Sequence, residues 1–343
     1  MLPEQILFTT NSGHEIGALV SGRYEKISVL VDENTRLACY PQIQSQLPNH
    51  HLIEVPCGEE NKTLQTCQLV WEAMTTSEMD RHSLLIIIGG GVLGDMGGFC
   101  AATYKRGIDF ILVPTTLLSQ VDASIGGKLG IDFNHYKNHI GIFQQPVSTI
   151  VDVGFLKTLS PRELRSGYAE VLKHALIRDK SLWNDLKATP LEDQDWEKLV
   201  RRNVSIKAAI TEEDPKETGV RKLLNFGHTI GHAIESQALK NSKILHGEAI
   251  AAGMIAEAWI AMTKGILPQE DFDEIRDVII RTYGKISISI EEIDAIAGLT
   301  VQDKKNQGNK ILCVLPKRIG DAAIDCEISP EEVKESIHYY LEC

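Results

Sequence analysis

The sequence predicts an α/β chain, with a Rossmann-like parallel-sheet domain followed by a mostly α-helical one. Three observations carry this. Short apolar runs alternate with helix-period patterns through the first part of the chain, and alternation of this kind builds a parallel sheet. One of those runs, Leu84–Ile88, is continuous, as a strand buried on both faces requires, and it runs straight into three glycines. After about Leu159 the pattern changes to helices with recognisable start signals. The expected domains are 1–158, an α/β domain, and 159–343, a mostly helical one.

Along the chain, Ile27–Val31 reads as a strand ending at Asp32, and Leu52–Val55 as another. Leu64, Cys67, Val70, Trp71 and Met74 recur at helical spacing. Phe110–Val113 repeats the buried-strand signature. Ser160-Pro161-Arg162-Glu163 is a helix start, with Ser as N-cap, Pro in the first turn and Glu three residues after the cap. Helical patterns follow at about 161–178, 193–210, 222–239, 246–264 and 269–283. Lys310–Leu315 and Ala322–Ile324 suggest a small hairpin, and Ser329-Pro330-Glu331-Glu332 starts a last helix. A cleft between such domains is a common place for a site.

Composition narrows the function. The 343 residues are 43% hydrophobic and carry a net charge of −12, which disfavours nucleic acid as a partner. Seven scattered cysteines without a C-x-x-C pair read as reduced thiols. The first residues show no basic, apolar leader pattern, so a cytoplasmic location is expected. Leu84–Ala102 is apolar but contains Asp95 and six glycines, which fits strand–turn–helix and not a membrane span.

Gly89, Gly90 and Gly91 follow the buried strand directly, where glycine lets the backbone approach a pyrophosphate and a helix N-terminus favours the anion. The spacing is not G-x-G-x-x-G, and a tight strand–helix turn is the plainer alternative. Asp32 could hold ribose hydroxyls or cap the next helix. His228 and His232 are four apart on one helix face, and Glu170, Lys173 and His174 share another. One carboxylate and two imidazoles suit zinc and leave positions open, but spacing does not choose among His174, His228, His232 and His246. Arg106, Lys128, Lys137, Lys173, Lys207 and Arg221 stand in otherwise apolar segments. If they converge, they would neutralise a phosphate and a carboxylate.

The segments GGGVLGDMGGFCAATYKRGI, LLSQVDASIGGK, KNHIG, GYAEVLKHALI, LNFGHTIGHAIE, LHGEAIAAGM and DKK together resemble the 3-dehydroquinate synthase family, from about Asp32 to Leu315. That family shares its fold with glycerol and iron alcohol dehydrogenases. The resemblance implies one divalent metal, Zn or Co, held by Glu170, His228 and His246. It implies NAD held by Asp32, Asn34, Glu59, Lys62, Gly90, Gly91, Val92, Asp95, Thr115, Thr116, Leu118, Asp122, Lys128 and Lys137. Substrate contacts would be Arg106, Asp122, Lys128, Lys137, Asn138, Lys173, Lys207, Arg221, Asn225, His232 and Lys305, with Lys304 as the alternative to Lys305. Catalytic roles fall to His232, Lys128, Lys173, Asn225 and Glu217. Arg106 would reach a phosphate across a homodimer interface. Leu129 departs from the usual Thr, and Glu163 from a common Gln.

The implied reaction converts 3-deoxy-D-arabino-heptulosonate 7-phosphate to 3-dehydroquinate and phosphate, a carbon–oxygen lyase step of the shikimate pathway. NAD is reduced and reoxidised within one turnover. Two rivals share the expected fold: a cyclase for another sugar phosphate, and a metal-dependent polyol dehydrogenase. Asn225, His232 and the Lys207–Arg221 pair favour the dehydroquinate type. The number of basic positions argues against the dehydrogenase.

Overall fold

A computed structural model describes residues 5–134, 136–238, 244–301 and 310–343. In chain order the first elements are β1 (Ile6–Phe8), α1 (Ser12–Val20), β2 (Ile27–Asp32), α2 (Glu33–Ala38), α3 (Tyr40–Ile43), β3 (His51–Val55), α4 (Leu64–Thr76), β4 (Leu84–Gly89), α5 (Gly91–Thr103), β5 (Asp109–Pro114), β6 (Lys128–Phe133), β7 (Tyr136–Phe143) and β8 (Ser148–Val151). Then follow α6 (Pro161–Arg178), α7 (Lys180–Ala188), α8 (Trp196–Glu213), α9 (His228–Ala238), α10 (His246–Thr263), α11 (Gln269–Tyr283), α12 (Ile293–Val301), β9 (Ile311–Arg318), β10 (Asp321–Ile328) and α13 (Pro330–Glu342).

Six strands form one parallel sheet in the order β1-β8-β5-β4-β2-β3. The apolar runs are continuous because both sheet faces are covered. Leu85 and Ile87 enter one core with Cys67, Val70 and Met74 of α4. Leu84, Ile86 and Ile88 enter the opposite core with Ile16 and Val20 of α1. Strands have a side-chain period of two, so each strand supplies both cores alternately.

The chain divides into two compact units: residues to Leu164 together with Trp196–Ala209, and Arg165–Asp195 together with Ile210–Cys343. The stretch of α8 that carries Lys207 therefore packs with the first unit.

Some elements differ from the sequence expectation. The helix expected at 222–239 begins as a 3-10 turn, Val220–Asn225, and becomes α-helical only at His228. Gly227 adopts φ +78°, a left-handed conformation that breaks the helix there. The helix expected at 193–210 runs instead over Trp196–Glu213. The antiparallel pair β6–β7 was not expected. Its glycines hide the strand pattern, and Gly130 faces Gly141 because a Cβ on Gly141 would lie 2.4 Å from the Leu129 carbonyl oxygen. The β9–β10 pair forms where a hairpin was expected, and extends further on both strands. Both predicted N-caps form: Glu163 N–H donates to Ser160 Oγ at 3.2 Å, and Ser329 and Glu332 make a reciprocal capping box.

Candidate active site

In the first unit, β4 ends at Gly89 and α5 starts at Gly91, with Gly90 as an N-cap that has no side-chain oxygen to offer. The first N–H groups of α5 are thus left for another acceptor, the usual basis of anion binding at a helix start. A pocket opens beside this turn, lined by Gly89, Gly90, Gly91, Asp95, Gly127 and Lys128. Its walls are close-built: a Cβ on Gly90 would stand 3.1 Å from Thr116 Cγ2, and one on Gly91 3.0 Å from Ala123 Cβ. Thr115 N–H donates to the Gly89 carbonyl at 3.0 Å. Thr116 and Ser119 exchange hydrogen bonds of 3.0–3.1 Å around Leu118.

Asp32 is a helix cap here: its Oδ1 accepts from Thr35 N–H at 2.7 Å. Asn34 is exposed on α2, and Val92 is half-buried in the first turn of α5. Buried Lys62 donates to Asp95 Oδ2 at 2.7 Å and to Asn138 Oδ1 at 2.6 Å, tying the turn to the β6–β7 hairpin. Burial opposes the Lys62 charge, but Asp95 and Glu59 outweigh it and hold the ammonium above its ordinary range. Lys137 Nζ lies 3.3 Å from Glu59 Oε1. Lys207 Nζ lies 2.8 Å from Asp122 Oδ2 and donates to the Asp122 carbonyl at 2.6 Å. Lys128 is exposed at the start of β6. Arg106 is exposed too, in a left-handed turn (φ 70°) after α5. Leu129 fills the core: a Cβ on Gly98 would meet its Cδ2 at 2.4 Å, so an apolar side chain is favoured at this position.

In the second unit three helices bring a carboxylate and histidines together. Glu170, on α6, is 1% exposed and ion-pairs with Lys173 one turn on. Its Oε1 lies 3.5 Å from His228 Nε2 and 3.6 Å from His246 Nε2. A tetrahedral ion with bonds of ~2.1 Å has edges of about 3.4 Å, so each of these two spacings matches a pair of ligand atoms on one ion. The other ring nitrogens are held. His228 Nδ1 lies 3.0 Å from the Phe226 carbonyl oxygen, and His246 Nδ1 lies 3.3 Å from Glu235 Oε2. Partners of this kind aim each Nε2 lone pair at the common point. Burial opposes charge on His246, yet Glu235 and Glu170 push its pKa up to about 10. The same field that holds a proton there favours a cation. The donor set therefore fits a divalent metal.

The alternatives left open by spacing lie close by, His174 with a ring nitrogen within 4.8 Å of a Glu170 oxygen. His232 stands with its ring 5.0 Å from that of His228 and 5.7 Å from that of His246, beside the cluster. The three rings also satisfy the spacing of a metal set, but without a carboxylate. His174 is fully buried on α6.

Glycines set the approach of the three helices. A Cβ on Gly247 would lie 1.8 Å from the Ser166 carbonyl oxygen, and one on Gly253 2.1 Å from that of Gly227. Gly247 N–H also donates to Ser166 Oγ at 3.0 Å, which pins α10 to α6 one turn before Glu170. Nearby, Asn225 Nδ2 donates to Glu217 Oε1 at 2.8 Å, and buried Arg221 donates from Nη1 to the Pro215 carbonyl at 2.8 Å. Lys305 and its alternative Lys304 lie outside the described residues.

Two buried acidic residues that contact these elements did not figure in the sequence reading. Glu235 lies seven residues after His228 on the same helix face, a signal that spacing could have supplied. Glu257 sits fully buried between Ala256 and Ala258, and a charge inside an apolar helical run was the available signal.

The family described as 3-dehydroquinate synthase N-terminal matches residues 52–166, and that described as 3-dehydroquinate synthase C-terminal matches 167–306. A 3-dehydroquinate synthase of Parabacteroides distasonis is 38% identical over 330 residues, 94% of each chain. The structure of 2-epi-5-epi-valiolone synthase from Streptomyces hygroscopicus, with NAD+ and Zn2+ bound, superposes with a TM-score of 0.89 at 27% identity, covering 100% of this chain and 98% of that one. A 2-deoxy-scyllo-inosose synthase, complexed with carbaglucose-6-phosphate, NAD+ and Co2+, superposes at 0.85 with 24% identity, covering 97% and 96%, and so shares the fold. By extent of match and by identity, the chain belongs to the 3-dehydroquinate synthase family.

Proposed function

We propose that this chain is a 3-dehydroquinate synthase, a carbon–oxygen lyase that turns 3-deoxy-D-arabino-heptulosonate 7-phosphate into 3-dehydroquinate and phosphate. The observation that carries the reading is Glu170 Oε1 facing both Nε2 atoms of His228 and His246 at 3.5 and 3.6 Å, in a chain of this family. When bound, a zinc or cobalt ion on these three side chains would acidify the substrate hydroxyl, and NAD on the β4–α5 turn would take up and return the hydride.

The chain's own residues do the rest. Arg106, Lys128, Lys137, Lys173, Lys207, Arg221 and Asn138 hold the phosphate and carboxylate of the substrate. Asp122 sets the Lys207 ammonium, and Glu217 sets the Asn225 amide. His232, next to the metal ligands and not needed as one, moves the hydroxyl proton, because imidazole titrates near neutral pH. Glu59, Lys62 and Asp95 frame the nucleotide turn. We assign the nucleotide domain to 1–158 and the metal and substrate domain to 159–343. We also propose that the enzyme works in the cytoplasm as a homodimer. The dimer is supported by apolar side chains presented by the β6–β7 segment: Phe133, Ile140, Ile142, Phe143 and Val147 are each at least 36% exposed. Among the described residues, no helix is long and apolar enough to cross a membrane.

The test is phosphate release from the seven-carbon substrate with trace NAD, with and without a chelator, while absorbance follows NADH. Chelator-sensitive release in large excess over NAD, with no net NADH, is expected. NADH accumulating from a polyol without phosphate release would make the chain a dehydrogenase. Turnover of a different sugar phosphate alone would make it another cyclase.

A further inference from the structure

The first turn of α9, which carries His228, is seated by a residue of another helix. Glu257, near the C-terminal end of α10, is 0% exposed. Its Oε2 accepts from Gly227 N–H at 2.7 Å, and its Oε1 accepts from Ile230 N–H at 3.1 Å. These two amides belong to the start of α9, where backbone N–H groups have no partner within the helix. Gly227, directly before the helix, has no side chain to cap it, and the Asn225 amide is engaged with Glu217. Glu257 thus supplies the cap from outside, and its charge suits the positive end of the helix. The two tethered amides bracket His228, whose own Nδ1 lies 3.0 Å from the Phe226 carbonyl. The seat is also sterically closed: a Cβ on Gly227 would lie 2.4 Å from Met254 Cγ, one turn before Glu257 on α10.

We propose that Glu257 is a positioning residue of the metal site: it fixes the first turn of α9 so that His228 Nε2 meets Glu170 and His246. A carboxylate is costly in a dry interior unless its oxygens are satisfied, and here both accept from the turn that bears the ligand. The proposal rests on the reading of His228 as a metal ligand.

The test uses the full-length protein stripped of metal, with zinc affinity measured by competition against a chromophoric chelator. Wild type should bind one zinc, and H228A should lose it. Glu257→Gln fills the same volume but turns an NH2 group towards one of the two amides. It should bind zinc about tenfold or more weakly while remaining folded, the size expected when a group that orients a ligand is lost. Cobalt-loaded E257Q should show altered visible absorption bands, which a purely stabilising role would leave unmoved. Folded E257Q with wild-type zinc affinity and cobalt spectrum overturns the proposal. If E257Q does not fold, the same competition on Glu257→Asp decides, since it keeps the charge but is one methylene short of both amides. Wild-type affinity there overturns it equally. If H228A binds zinc as wild type does, it is the ligand assignment that fails.

Discussion

Glu235 Oε2 stands 3.3 Å from Nδ1 of His246, so α9 contributes both His228 and the carboxylate that orients the imidazole at the start of α10. The arrangement couples the two helices, and displacing either one breaks the contact between Glu235 and His246.

Glu235→Gln should therefore weaken zinc binding by about 10–100-fold with little change in secondary structure, the range seen when the carboxylate behind a ligand histidine is removed. Chelator competition on the purified variant measures it. Unchanged affinity would mean the contact only packs.

His232→Ala should slow turnover by about 10²–10⁴-fold, the span of general acid–base catalysis, while one metal per chain remains bound. Metal analysis and single-turnover NADH formation separate the two effects. Loss of the metal together with the rate would move His232 into the ligand set.

Gly247→Ala places a Cβ where the Ser166 carbonyl oxygen now lies at 1.8 Å, so α10 must move away from α6. Overpacking of this kind costs about 1–3 kcal/mol or more. The thermal midpoint should fall, and zinc affinity should fall with it, since Glu170 and His246 sit on the two helices being parted. A variant of wild-type stability and affinity would show that the helices have room to spare.

Glu274 tests the scaffold behind the site. It accepts from Trp183 Nε1 at 2.6 Å and from Lys187 Nζ at 2.7 Å. Burial raises its pKa, but Lys187 and Trp183 outweigh this and hold the carboxyl below its ordinary value. A depressed carboxylate contributes stability that is present above its unfolded pKa and lost as pH falls through the folded one. The denaturation midpoint of wild type should thus drop more between neutral pH and the range below 4.5 than that of Glu274→Gln. Equal drops would show that the pair is too solvated to matter.

Much of this was legible without coordinates. Leu84–Ile88 reads as a strand covered on both faces, because a short continuous apolar run before a glycine turn suits a parallel strand between two layers. Ser160 and Ser329 announced their helices through local capping chemistry, which needs only residues within one turn. The family motifs named Glu170, His228 and His246. Spacing alone could not choose them from four histidines, because periodicity places a residue on a face of its own helix and says nothing about which faces meet.

Packing between α6, α9 and α10 brings Glu170 Oε1 to 3.5 Å from His228 and 3.6 Å from His246. Gly247 against Ser166 and Gly253 against Gly227 decide how closely the helices approach, and so which imidazoles reach the Glu170 carboxylate. The same contacts bring Glu235 and Glu257 to ligands 11 and 29 residues away in sequence, 246 − 235 and 257 − 228. The sequence by itself determined the elements, the nucleotide turn and the stock of ligands. Tertiary structure decided which nitrogen of each histidine faces Glu170 and which buried acids contact the helices that carry them, because orientation depends on contacts between helices that no local pattern encodes.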